Sequence, residues 1–161
     1  MNGKTKLMLV MIALIGLALV MPVSAVKGEN NPAKHLYLYE KTPSDWEIVP
    51  DGAWGKMMYK SDMFVFNGHG LVPGEKYALI NYVDPWGGAD NPVLGVGKTN
   101  REGNVHIAGE MFPLTIGTDA QKLNDGAKVW LVPTDDLTIV GGKAEFKAWS
   151  PAEYLFEANL I

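Results

Sequence analysis

The chain has 161 residues, a formal charge of −4, 20% charged residues and no cysteine. This length suits a single folded domain, and the lack of cysteine excludes disulfides, thiolate metal sites and cysteine nucleophiles. A mildly acidic chain also lacks the concentration of Lys and Arg that a duplex-binding surface needs, so we expect no nucleic-acid partner.

The amino terminus has the three parts of a secretory signal peptide. Lys4 and Lys6 precede an unbroken apolar run over 7–21, and Val23-Ser24-Ala25 supplies the small residues of a cleavage site. The run is shorter than the ~20 residues that span a bilayer. We therefore expect 1–25 to be cleaved, with a retained signal anchor as the alternative. The mature protein would be secreted or held in the cell envelope, with no membrane span.

The rest of the chain is predicted to be a flexible tether over 26–34 and one domain over 35–161. The tether is polar and has no period, whereas the domain alternates apolar and polar residues, which is typical of strands. Gly103 is placed for the positive φ of a tight turn between two strand-like runs. The strand-like runs are 35–39, 63–66, 77–83, 93–96, 105–108, 129–132 and 155–161.

Two short segments depart from the strand pattern. Residues 118–123 have the composition of a helical turn, and Ser150-Pro151-Ala152-Glu153 has that of a capping box. No amphipathic helix long enough for a parallel α/β fold separates the strands. We therefore predict an all-β antiparallel fold, specifically a Greek-key β-sandwich of immunoglobulin-like architecture, with a closed β-barrel as the alternative.

Residues 71–77 (LVPGEKY) resemble the tyrosine corner of fibronectin type III domains. In that element Pro73 and Gly74 would turn the chain between sheets. Tyr77 would pack its ring inside and bond upstream backbone through its hydroxyl. The resemblance covers seven residues and implies a structural role for these three positions.

Longer motifs are spread over nearly the whole mature chain: HLYLYEK (35–41), AWGKM (53–57), NGHGL (67–71), DPW (84–86) and KVWLV (128–132). Together they resemble a family of exported β-sandwich proteins common in methane-producing archaea, to which no activity is assigned. The resemblance implies an exported domain and supplies no catalytic residues.

The clearest candidate binding residues lie in or near the loop from Asp84 to Asn91. Asp84, Asp90 and Asn91 offer oxygen atoms beside a flexible Gly pair, a composition that suits Ca²⁺ although the EF-hand spacing is absent. Trp86 in this loop and Trp54, which precedes a glycine, are candidates for exposed platforms that stack on sugars or proline-rich peptides. Packing in the core is the alternative for both tryptophans.

Catalytic patterns are missing from the sequence. His35, His69 and His106 share no metal-ligand spacing, and no serine stands in a nucleophile motif. We therefore expect a non-enzymatic exported domain without a metal or other cofactor, acting through contacts with other envelope or extracellular proteins or with glycans. Two alternatives remain: a module that binds carbohydrate or Ca²⁺ through the Asp84–Asn91 loop and exposed tryptophans, and a hydrolase in which His69 or His106 meets a carboxylate.

Overall fold

The computed structural model describes residues 32–83, 90–114, 126–159 and 161. All of them belong to the compact unit Asn31–Ile161. The strands are β1 (Lys34–Tyr39), β2 (Trp54–Tyr59), β3 (Met63–His69), β4 (Lys76–Tyr82), β5 (Asn91–Lys98), β6 (Val105–Glu110), β7 (Lys128–Pro133), β8 (Leu137–Val140), β9 (Lys143–Phe146) and β10 (Leu155–Glu157).

The ten strands form one antiparallel sheet in the order β6-β3-β2-β1-β10-β7-β4-β5-β9-β8. The pairing of β1 with β10 joins the two ends of the domain, with Tyr39 opposite Phe156. The sheet curls like half a barrel. Its curl brings β6 against β5, where a Cβ on Gly95 would lie 2.5 Å from Ile107 Cγ2. Glycine in β5 is therefore what lets these two strands approach so closely.

The all-β antiparallel prediction is confirmed, but its finer form is not. A Greek-key sandwich needs two facing sheets, whereas the described strands follow one another in a single sheet. The closed barrel does not form either, because β5 and β6 meet by side-chain packing, and no ladder joins them among the described residues. The strand count and turn spacing were compatible with all three architectures, and pairing between distant segments selected the open, curled one.

Two apolar clusters lie on opposite faces of the central strands. In β4, Tyr77 and Leu79 face the inner cluster inside the curl, while Ala78 and Ile80 face the outer cluster. The same alternation in β7 sends Leu131 inward and its neighbours outward. Because both faces of β4 and β7 are covered, their sequences read as continuous apolar runs.

The turns use the residues that the sequence pattern identified. Gly103 has a φ of +73° between β5 and β6, and Gly74 has a φ of +76° before β4. The Tyr77 ring is buried, and its hydroxyl accepts a hydrogen bond from the Val72 N–H at 3.3 Å. This hydrogen bond connects β4 to the turn that precedes it.

Helix is limited to two 3-10 turns in the described part of the chain, Thr134–Asp136 and Pro151–Glu153. The second is the predicted single turn before the last strand, although the Ser150 side chain makes no capping hydrogen bond. The strand after it is shorter than predicted, ending at Glu157. The helical turn predicted over 118–123 lies outside the described residues. No helix in the described ranges is long and apolar enough to cross a membrane.

Candidate functional site

An open groove of about 620 Å³ lies on the outer face of the sheet, where β7 and β10 meet the loops around Lys41 and Trp149. We call it the aromatic groove. This volume falls in the range of small-molecule sites, ~300–1,000 Å³. Five of the lining side chains are aromatic and three are charged. The lining residues are Lys41, Trp46, Tyr82, Lys128, Trp130, Trp149, Phe156 and Glu157.

The floor and the walls of the aromatic groove differ in exposure. Tyr82, Trp130 and Phe156 are buried and form the floor, with the Tyr82 and Trp130 rings stacked at 3.8 Å between centroids. Trp46 and Trp149 form the walls and leave 47% and 42% of their surface in solvent. Two large indoles are thus held out from the core over an aromatic base.

Trp46 is held in place by a tight turn. The Thr42 N–H donates to the Glu47 carbonyl and the Trp46 N–H to the Thr42 carbonyl, each at 2.9 Å. Thr42 also hydrogen-bonds the Asp45 carboxylate, and this bond lowers the pKa of Asp45. The backbone at Trp46 has a φ of +62°. A bulky residue in this left-handed region costs about 1–3 kcal/mol, which the surrounding contacts must offset.

Part of that offset comes from aromatic contacts. The Trp46 ring meets Phe156 edge-to-face at 5.1 Å between centroids and lies 6.3 Å from the Trp149 ring. Edge-to-face pairs of this kind contribute about 0.5–1.5 kcal/mol beyond buried area. The strained backbone and these contacts together hold the Trp46 side chain in one position above the floor.

Asp136 holds the loop that carries Trp149 through hydrogen bonds on either side of it. The backbone carbonyl of Asp136 accepts from the Lys147 N–H at 2.9 Å, and its carboxylate accepts from the Ser150 N–H at 3.0 Å. The buried Tyr154 hydroxyl donates to the same carboxylate oxygen at 2.5 Å. Burial, followed by the hydrogen bond to Asp136, raises the pKa of Tyr154. The loop that carries Trp149 is thus clamped on both sides.

Glu157 is the acidic group of the aromatic groove. Burial raises the pKa of its carboxyl to about 7, against the opposing effects of its own backbone, Lys41, Lys128 and a hydrogen bond from Trp130. Its Oε2 atom is shielded from solvent and has no hydrogen-bond partner among the described residues. Lys41 donates to the backbone carbonyl of Glu157 at 2.9 Å. Near neutral pH the groove therefore holds two ammonium groups and one carboxyl close to its titration point.

The lining determines which ligands suit the aromatic groove. Flat indole walls favour a ligand with a flat apolar face, and the charged groups supply hydrogen bonds at its edge. A cationic ligand is disfavoured because Lys41 and Lys128 already line the site. Sugars combine apolar C–H faces with a rim of hydroxyl groups, and so match both features.

The candidates from the Asp84–Asn91 loop are only partly described. Asp84 and Trp86 lie outside the described residues. Asp90 is exposed and pairs with Lys143 at 2.6 Å. Asn91 is buried, accepting from the Val83 N–H at 2.8 Å and donating to the Ala144 carbonyl at 3.0 Å. The amide of Asn91 thus joins strands of the sheet, and Ca²⁺ binding by this loop stays a prediction.

Trp54 lies in a second depression, of about 590 Å³, which we call the basic groove. It is 40% exposed, and its ring lies 4.8 Å from the His69 ring. The lining has two lysines, two histidines and three asparagines, with no Asp or Glu among the described lining residues. They are Trp54, Lys56, Asn67, His69, Lys98, Asn100, Asn104, Val105 and His106.

The histidines of the basic groove bond to amides, not to carboxylates. Nδ1 of His69 bonds Asn104 Oδ1, and Nδ1 of His106 bonds Asn67 Oδ1, each at 2.8 Å. His106 is exposed between two buried residues, Val105 and Ile107. Within the described ranges no cluster of three or more His, Cys, Asp or Glu side chains is placed to hold a metal ion.

Sequence reasoning did not select Trp46 and Trp149 as binding residues. Both stand in polar, proline-containing segments outside strand-like runs, and this context favours exposure. Trp130, by contrast, is buried in the floor. That all three meet at one groove depends on β10 lying between β1 and β7.

Comparison of the chain with protein-family models, with curated proteins and with solved structures found no match.

Proposed function

We propose that the protein is an exported, non-enzymatic domain that binds a carbohydrate chain in its aromatic groove. The observation that carries this proposal is the pair of exposed indoles, Trp46 and Trp149, held over a floor of buried aromatic rings. Leaving two tryptophans half in solvent forgoes burial that would stabilise the fold. The strained backbone at Trp46 adds to that cost, so both features favour a role in binding.

Charge supports a sugar over the other ligand classes that stack on aromatic rings. A proline-rich peptide offers apolar faces and carbonyl acceptors, but it has few N–H or O–H donors for the Glu157 carboxyl. The hydroxyl groups of a sugar accept from ammonium groups and donate to a carboxylate. The export signal predicted over 1–25 would place the protein where glycans are abundant.

A glycan array probed with the labelled protein tests the proposal, followed by calorimetric titration of the best oligosaccharide. Trp46→Ala and Trp149→Ala should each weaken binding about tenfold or more, on the scale of aromatic stacking on nucleic-acid bases. Ile48→Ala is the matched control, because Ile48 is equally exposed near the same turn and does not line the groove.

Two results would overturn the proposal. One is an array on which no sugar binds, together with titrations in which a proline-rich peptide binds. The other is sugar binding that both tryptophan variants retain at full strength while their folds, checked by circular dichroism, are intact.

A further inference from the structure

The charge of the basic groove is opposite in sign to the net charge of the chain. The chain is acidic at −4, yet this groove gathers Lys56, Lys98, His69 and His106 without an acidic residue in its described lining. Positive charge concentrated in a concave surface focuses the field there and attracts anions. The groove therefore differs from a surface on which charges of both signs are interspersed.

The register explains how these groups come together. Asn67 in β3 lies opposite His106 in β6, and His69 comes two residues later on the same face. Lys56 in β2 lies opposite Asn67 from the other side. Cross-strand neighbours of this kind are about 4.5–5.5 Å apart at Cβ, and diagonal ones about 7–8 Å. One face of three adjacent strands thus presents the two imidazoles and an ammonium group together.

The asparagines orient both imidazoles. Because each Nδ1 meets an amide oxygen, each Nδ1 carries the hydrogen, and the bond holds the ring in one orientation. The amide oxygens of Asn67 and Asn104 are thus engaged by the imidazoles, so the NH₂ groups of these lining residues are their remaining donors. Asn100 and Asn104 add further amides to the lining. An oxyanion is the ligand that accepts from such a set.

An aromatic row connects the basic groove with the aromatic groove. Trp130, Phe156, Tyr39, Trp54 and His69 occupy directly paired positions on five adjacent strands: β7, β10, β1, β2 and β3. At about 4.8 Å between strands, the row is about 19 Å long. A chain-like ligand stacked in one groove can therefore reach the other across the outer face.

From this arrangement we propose that the basic groove is an oxyanion subsite and that the carbohydrate is acidic, with a carboxylate or sulfate group seated among Lys56, Lys98, His69 and His106. The sugar part of this inference rests on the proposed function. The oxyanion part does not, because it depends on a different groove.

The test measures anion binding by itself and within an oligosaccharide. Inorganic sulfate and free glucuronate are titrated while the imidazole signals of His69 and His106 are followed by NMR. Neutral, uronic-acid and sulfated oligosaccharides of equal length are then compared by calorimetry. The uronic-acid and sulfated chains distinguish the two sources of the oxyanion. At least one acidic chain should bind about tenfold more tightly than the neutral one, with an advantage that falls as salt rises.

The double variant Lys56→Gln, Lys98→Gln should remove that advantage. The variant Lys34→Gln, Lys60→Gln changes net charge equally at exposed positions outside both grooves and should keep that advantage. Trp149→Ala should weaken the binding of acidic and neutral oligosaccharides alike, without changing the NMR shifts that sulfate causes. If sulfate shifts the imidazoles but no sugar binds, the proposed function fails and the oxyanion subsite stands.

Three results would overturn the oxyanion subsite. The first is that the two double variants bind the acidic oligosaccharides with equal affinity. The second is tightest binding by the neutral chain. The third is a response of His69 and His106 to Zn²⁺ but not to sulfate or glucuronate, which would make the basic groove a metal site.

Discussion

Replacing Glu157 with Gln should change how the stability of the protein depends on pH. Burial raises the pKa of this carboxyl from an ordinary value of 4.5 to about 7 in the folded protein. The folded state therefore binds the proton more tightly than the unfolded state does. The associated stability is fully present below pH 4.5 and is lost as pH rises through 7. Glutamine has nearly the same shape and no titrating proton, so it removes this dependence.

The size of the effect follows from the two pKa values. The difference corresponds to at most about 3 kcal/mol of unfolding free energy, at roughly 1.4 kcal/mol for each pKa unit. Lys41 and Lys128 favour the charged form, and their effect is already contained in the folded value. The free energy of unfolding of the wild type, minus that of Glu157→Gln, should thus fall by up to about 3 kcal/mol between pH 4.5 and pH 8.

Urea unfolding followed by tryptophan fluorescence, repeated at half-unit pH steps, measures this difference. Carboxyls elsewhere contribute equally to both proteins and cancel. Any constant cost of placing an amide at position 157 cancels too, because only the change with pH is used. Glu110→Gln, at an exposed position, controls for the loss of one negative charge. The reasoning would be refuted if the difference in free energy of unfolding between wild type and Glu157→Gln did not change from pH 4.5 to pH 8. The carboxyl would then be as well solvated in the folded protein as in the unfolded chain.

Two further substitutions test the supports of the site and of the sheet. Tyr154→Phe should lower unfolding free energy by about 2 kcal/mol, because the buried Asp136 carboxylate loses a donor at 2.5 Å. It should also weaken sugar binding through Trp149, and an unchanged melting temperature would contradict the clamp. Gly103→Ala should cost about 3 kcal/mol, because a Cβ would lie 2.3 Å from the Leu71 carbonyl oxygen at a φ of +73°. Gly74→Ala shares the positive φ but has no atom within 4 Å, so it should cost only about 1 kcal/mol; equal losses would show that the contact at Gly103 is unimportant.

Strands that read as alternating or continuously apolar runs were predictable from the sequence, whereas β2, β8 and β9 were missed. Residues 35–39 and 105–108 alternate strictly, and they fall within β1 and β6. β2 was missed because Gly55 and paired methionines weaken its pattern. Gly55 has a structural reason, since a Cβ there would lie 2.2 Å from the Phe66 ring. Gly55 thus weakens the strand pattern in the sequence and also leaves room for the Phe66 ring to pack in the inner cluster.

The binding residues show the same division. Trp54 was a candidate because it precedes Gly55, and it is 40% exposed in the structure. The aromatic groove could not be found this way, because its walls come from residues about 100 positions apart in the chain. Local pattern carries no information on which distant loops meet.

The amino-acid sequence by itself determined that this domain is built from short antiparallel strands, which residues of its alternating runs share a face, and where glycine turns the chain. These properties depend on side-chain period and local backbone preference. Only the tertiary structure decided that the strands form one curled sheet, that Trp46 and Trp149 share a groove, and that the environment of Glu157 is dry enough to hold its proton near neutral pH. Each of these depends on pairing between distant segments, above all β1 with β10, and on the packing that excludes water around them.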